Sequence, residues 1–125
     1  MDTRNDVKDF MIACDQLVND KPVIGESTYD QSKLYMKLIK EEFDELTLAF
    51  GENDLVEVAD ACADLIWVIQ GLAHTLGIPQ QEVWDEVNRS NVAKYPGGKV
   101  LRRADGKIMK PEGWEPPNIK SIIEK

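Results

Sequence analysis

The chain has 125 residues, 42% hydrophobic and 30% charged. That is enough for one domain with a modest core and argues against a disordered chain. No apolar run reaches the ~18 residues of a membrane span, and no basic-then-apolar leader is visible, so neither a membrane protein nor a secreted one is expected. A net charge of −8, from 15 Lys and Arg against 23 Asp and Glu, argues against general binding to a nucleic-acid backbone.

The elements follow in chain order. Val7, Phe10, Met11, Cys14, Leu17 and Val18 recur at spacings of three and four, which predicts a helix over about Thr3 to Asn19. Pro22 and Gly25 break it, and a connector runs to about Thr28. A second helix is expected over Asp30 to Ala49, with Gly51 as its terminating glycine and Asn53 or Asp54 capping the next. Asp54 to Leu76 is the longest apolar-rich stretch and reads as the central helix, where Gly71 permits close approach of a neighbour. Gly77-Ile78-Pro79 ends it. A fourth helix runs to about Lys94, burying Val83, Trp84, Val87 and Val92. Two short strands around Asp105-Gly106 form a hairpin. Trp114 anchors a proline-rich tail, and Asn118 caps a last short helix through Ile123. The expected fold is all-α, a bundle of four to five helices. It makes a single domain, 1–125, with its helical core over 3–94 and a hairpin and tail over 95–125. Cys14 and Cys62 lack metal or redox spacing and are expected as buried free thiols. His74 is expected on a helix face and Trp67 in the core.

Charge is unevenly distributed. No Lys or Arg stands between Lys40 and Arg89, while residues 41–88 hold 12 acids. The remainder carries a net +4, from 15 cations against 11 acids. On the second helix Glu41, Glu42 and Glu45 lie within about one helical turn of one another. On the third, Glu57, Asp60 and Asp64 share a stripe. Acids in an otherwise apolar helix are costly when they are partly buried without a partner. If the two helices pair antiparallel, the stripes face each other and require a counter-charge, which Mg²⁺ or Mn²⁺ would supply. Glu-rich helix faces are ordinarily solvated surface, so the signal lies in the combination. Beyond the block, Arg89, Asn91, Lys94, Lys99, Arg102, Arg103, Lys107 and Lys110 offer donors to phosphates.

Lys40-Glu41-Glu42-x-x-Glu45-Leu46 and Glu57-Val58-Ala59-Asp60-Ala61-x-Ala63-Asp64-Leu65-Ile66 resemble the all-α nucleoside triphosphate pyrophosphohydrolases. This superfamily comprises the MazG-like, dimeric dUTPase and phosphoribosyl-ATP pyrophosphohydrolase proteins. The later Leu76-Gly77-Ile78-Pro79, Arg89-Ser90-Asn91-x-x-Lys94 and Lys110-Pro111…Trp114-x-Pro116-Pro117 resemble its small phage-borne or bacterial members. The resemblance implies a MazG-like bundle, assembled as a homodimer or homotetramer. It implies Mg²⁺-dependent hydrolysis of a (deoxy)nucleoside triphosphate to the monophosphate and pyrophosphate, with two or more ions per site and dGTP among the possible substrates. Related activities are phosphoribosyl-ATP, dUTP and dCTP pyrophosphohydrolysis. Glu42, Glu45, Glu57 and Asp60 match metal ligands. Glu41 matches an acid that binds a further ion or orients water. Asp60 and Asp64 each align as the closing acid; only Asp60 has a Glu three residues before it, so Asp60 is favoured and Asp64 kept second. Asn91 and Lys94, with Arg89 beside them, match residues that hold sugar and phosphates. The implied setting is the cytoplasm of a bacterium or phage-infected host. The rival reading is a non-catalytic acidic helical module that binds a basic partner.

Overall fold

A computed structural model describes residues 1–125. Its α-helices are α1 (Thr3–Ala13), α2 (Tyr29–Gly51), α3 (Leu55–Thr75), α4 (Gln80–Val92) and α5 (Ile119–Ile123). Strands β1 (Leu101–Arg102) and β2 (Ile108–Met109) form an antiparallel pair. The fold class is therefore the expected one, mostly helical with a small hairpin. The chain divides into two compact units, 1–78 and 79–125. The division places α4 with the hairpin and tail rather than with α1–α3.

In the first unit, the Asp2 side chain accepts from the Asn5 amide and opens α1. The helix stops at Ala13 instead of continuing to Asn19. Asp15 takes a left-handed conformation with φ 56°, and the Gln16 amide returns to the Met11 carbonyl at 2.9 Å. The connector then crosses the end of α3. Asn19 Nδ2 donates to the Thr75 carbonyl at 2.7 Å, and the Val23 amide to that of Leu76 at 2.9 Å. Gln31 ties the layers together. Its amide accepts from the Leu17 N–H at 2.8 Å and donates to the Thr75 hydroxyl at 2.7 Å.

α2 and α3 form the expected antiparallel hairpin. Gly51 lies inside the last turn of α2, and Asn53, with φ 55°, takes the left-handed terminating position instead. Asparagine tolerates that conformation, so the helix runs two residues further than its glycine suggested. Asp54 caps α3 by accepting from the Glu57 amide at 3.2 Å. Val7 and Met11 of α1, Tyr35 of α2 and Val68 of α3 form the buried core, with Leu38, Ile39, Leu65 and Leu72 packed against it. A Cβ on Gly71 would stand 2.1 Å from the Tyr35 ring. Only glycine lets the two helices close to this distance.

In the second unit, the register Leu101↔Met109 and Arg102↔Ile108 closes the hairpin over the Asp105-Gly106 turn. Asn118 caps α5 by accepting from Ser121, as expected. Trp84 is 70% exposed and Val92 is also exposed, contrary to the expected burial. The side of α4 carrying Val83, Glu86, Val87 and Ser90 is the sheltered one, and Trp84 falls off it. Cys14 and Cys62 are free but exposed, not buried. Cys62 is the residue after buried Ala61 on α3, about 100° around the helix from it. Trp67, expected in the core, is 36% exposed and instead meets Phe10, itself exposed, edge-to-face at 5.5 Å. His74 Nε2 is satisfied 2.9 Å from the Arg4 carbonyl.

Candidate functional site

The α2–α3 pairing puts residues whose numbers sum to about 106 opposite one another: Tyr35 meets Gly71. The same register brings Glu42 towards Asp64, and Glu45 towards Asp60 and Ala61. Burial raises the Glu42 carboxyl above the ordinary range. A hydrogen bond with Glu45 that only the protonated acid can make adds to this, as do the charges of Glu45, Asp64 and Asp60. Asp64 is raised by burial, then by Asp60, then by Glu45. Glu42 Oε2 is buried without any hydrogen-bond partner. A buried carboxylate oxygen with no donor and three acids around it is an unfavourable arrangement unless a cation joins it.

Towards the helix ends the row opens into a cleft of about 260 Å³, lined by Glu45, Glu52, Glu57 and Asp60 over Ala49 and Ala61. Glu45 and Asp60 belong to both groups. The sequence reading missed Glu52, although it lies seven residues after Glu45 and hence on the same helical face. Glu41 is exposed and is not among the charges acting on Glu42 or Asp64. A larger cavity, of about 650 Å³, is lined by Ile24, Tyr29, Ser32, Lys33 and Met36. Met36 and Glu45 are half a turn out of phase on α2, so that cavity belongs to another face.

No three His, Cys, Asp or Glu side chains converge to ligand distance of one point. Mutual repulsion among four carboxylates opposes such convergence. The donor set nevertheless fits a hard divalent ion. Every candidate atom is a carboxylate oxygen, Glu42 Oε2 lacks a partner, and Glu45, Glu57 and Asp60 are exposed enough to turn.

The raised acids contribute one part of the pH dependence of stability. In the folded state Glu42 and Asp64 hold protons to higher pH than in the unfolded chain. Their contribution to stability is therefore greatest on the acid side and is lost as pH rises from the ordinary carboxylate range through their raised values. Asp64→Asn is expected to raise the metal-free melting temperature by a few degrees at pH 7, with the advantage vanishing near pH 4. Thermal melts across that range, with chelator present, check it. A variant less stable than wild type at pH 7 would contradict the electrostatic account.

Of the residues read as phosphate donors, Lys94 Nζ donates to Asn91 Oδ1 at 3.1 Å, so the two form one pair. Arg89 is committed to the fold. Its Nε donates to Glu86 at 2.6 Å, and its Nη2 reaches the carbonyls of Glu115 and Pro116. Trp114 anchors the tail as expected, donating from Nε1 to the Ser90 carbonyl at 2.6 Å.

An antiparallel helical pair with facing acids from an E-E-x-x-E and an E-x-x-D segment is the arrangement expected of an all-α protein of the MazG-like class. Comparison with known families agrees. Residues 7–91 match the sequence profile described as phosphoribosyl-ATP pyrophosphohydrolase. The chain belongs to this family, a member of the MazG-like nucleoside triphosphate pyrophosphohydrolase superfamily. It is also 48% identical over 46 residues to an uncharacterised protein of Acanthamoeba polyphaga mimivirus, a match covering 37% of this chain and 18% of the viral one. No helix is long and apolar enough to cross a membrane.

Proposed function

We propose that the protein hydrolyses a (deoxy)nucleoside triphosphate to the monophosphate and pyrophosphate, with Mg²⁺ or Mn²⁺ held by Glu42, Glu45, Glu57 and Asp60, Asp60 being the closing acid and Asp64 a second candidate for that place. The observation that carries this reading is the row of facing carboxylates on α2 and α3, whose inner end is the buried, unpartnered Glu42 Oε2. Membership of a pyrophosphohydrolase family supports it. Bound there, two or more divalent ions would neutralise the triphosphate and lower the pKa of water. Glu42 and Asp64 anchor the inner end of the row, where low exposure limits competition from bulk water. Glu45 and Asp60 bridge the inner end and the cleft. Glu41, exposed and outside the row, is assigned by the family resemblance to a further ion or to orienting the attacking water. Asn91 and Lys94 take the sugar and phosphates, and Arg89 holds the tail alongside that pair. No side-chain nucleophile is required.

The rival reading, an acidic module for a basic partner, would direct its charges outward; the half-buried Glu42 and Asp64 disfavour it. Candidate substrates are the ribo- and deoxynucleoside triphosphates, dGTP, dUTP and dCTP included, and phosphoribosyl-ATP, acted on in the cytoplasm of a bacterium or an infected host. Assembly as a homodimer or homotetramer is part of this reading. Phe43, Leu48, Phe50, Leu55 and Val56 are exposed around the α2–α3 turn, an apolar area that a second copy would cover. Sedimentation giving only monomers at working concentration would remove that part.

Incubation with a panel of NTPs, dNTPs and phosphoribosyl-ATP plus Mg²⁺ tests the activity. Pyrophosphate and a monophosphate are the expected products. Release of orthophosphate would reject the proposed bond cleavage. Absence of turnover with every substrate, together with a melting temperature indifferent to Mg²⁺ plus nucleotide, would favour the interaction module.

A further inference from the structure

The second unit brings two cations to one aromatic ring. Its carboxylate-paired cations are structural: Arg89 with Glu86, Arg103 with Asp105 and Lys125 with Glu82. Lys94 and Lys110, like Lys99, Lys107 and Lys120, pair with no carboxylate. Yet both are drawn to one indole, with Lys94 Nζ 5.5 Å and Lys110 Nζ 4.8 Å from the centroid of Trp114. The ring is itself fixed, because Trp114 Nε1 donates to the carbonyl of buried Ser90 at 2.6 Å. Pro111 immediately follows Lys110 and restrains its backbone to extended conformations. The cleft beside the ring, about 300 Å³, is lined by Arg89, Pro96, Pro111, Glu112, Trp114 and Glu115, and the two lysines stand outside it.

Bringing two ammonium groups to one ring costs Coulomb repulsion, which the ring face offsets only in part. Each ammonium has three N–H donors, and a π-face uses none of them fully. Lys94 spends one on Asn91. Lys110 is exposed, so its donors are open to an acceptor carrying several negative oxygens.

We infer that Trp114 organises Lys94 and Lys110 into a polyphosphate-binding clamp, with Lys110 as a phosphate-gripping residue and Trp114 as the positioning residue. The natural anion, the triphosphate of a nucleotide, rests on the function proposed above. Binding of the polyphosphate chain itself does not depend on turnover.

The test is calorimetry in low salt without divalent metal, using inorganic tripolyphosphate, a nucleoside triphosphate and the matching nucleoside as probes. Lys110→Ala is expected to weaken tripolyphosphate and the nucleoside triphosphate alike by about tenfold or more, the scale of one charge-assisted hydrogen bond. It should leave nucleoside binding unchanged. Lys110→Arg should restore most of the affinity. Lys107→Ala, which removes an equal charge from the hairpin turn, should change it less than about twofold. Trp114→Phe, checked for native circular dichroism, should fall between wild type and Lys110→Ala, because phenylalanine is the weaker cation–π face. Equal losses in Lys107→Ala and Lys110→Ala would reduce the clamp to diffuse charge and overturn it, as would unchanged affinity in Lys110→Ala. A loss for tripolyphosphate but not for the nucleotide would overturn its assignment to substrate. A protein that binds these anions through Lys110 but hydrolyses none of the panel would leave the clamp standing and remove the hydrolase reading.

Discussion

Glu45→Gln is expected to lower turnover by two to three orders of magnitude, with the fold intact. Glu45 belongs both to the buried group with Glu42, Asp60 and Asp64 and to the open cleft with Glu52 and Glu57. Removing its charge therefore weakens cation binding at both ends of the row. The amide keeps the size of the side chain and adds two donors where only acceptors serve a metal. Loss of a single preorganised electrostatic contact to a transition state typically costs ~10²–10³ in rate. Pyrophosphate release under saturating substrate and Mg²⁺ measures the effect. The matched control is Asp44→Asn. Asp44 is one residue away and equally acidic, but it is exposed and paired with Lys40 at 2.9 Å. Its removal should change turnover less than about twofold, since an exposed i,i+4 pair contributes little. Equal losses in the two variants would mean that net acidity, not the geometry of the row, is what matters. Undiminished turnover in Glu45→Gln would remove the metal assignment.

Gly71→Ala is expected to destabilise the protein by about 2–3 kcal/mol, the upper part of the usual range for overpacking a core. The added Cβ would lie 2.1, 2.5 and 2.7 Å from three atoms of the Tyr35 ring. Tyr35 cannot swing aside cheaply. It is 3% exposed, and its hydroxyl is held by Gln16 on the connector after α1. Relief requires α2 and α3 to separate, which also pulls Glu42 and Glu45 away from Asp60 and Asp64. Catalysis should therefore fall along with stability. Gly51→Ala makes the contrast. Gly51 lies in the last turn of α2 with nothing within 4 Å of its would-be Cβ. Alanine there should be neutral or stabilise by up to about 1 kcal/mol through helix propensity. Urea denaturation of both variants reads the difference directly. Similar stabilities would show that the Tyr35–Gly71 contact does not set the helix separation.

Much of this arrangement was legible before folding was considered. The spacing of Val7 and Met11, the apolar run from Leu55 to Leu72, and the capping residues Asp54 and Asn118 are local signals, and each element they specify is present. The acids were legible for a different reason. A 48-residue stretch without a cation, carrying carboxylates at i, i+3 and i+7 in an apolar helix, has few physical explanations. Boundaries were less legible. α1 stops at Ala13 because the connector must turn back across α3, and the residues that require this, Asn19, Gln31 and Thr75, are distant in sequence. Trp84 was misjudged because hydropathy says which residues favour burial, not which side of α4 is covered.

The sequence by itself determined the helical elements, the family and the inventory of carboxylates, because periodicity, capping and charge spacing are written within one turn or two. The tertiary structure alone decided how those carboxylates differ. Burial and the α2–α3 register raise Glu42 and Asp64 and add Glu52 to the cleft. They leave Glu41 outside the group. It likewise decided the fate of the cations. Arg89 is consumed by Glu86 and the tail, whereas Lys110, sixteen residues from Lys94 in the chain, comes to the same Trp114 ring. The opening tally of −8 could not separate these cases. A charge acquires its role from the solvent it loses and the neighbours it meets, and both are properties of the packed chain.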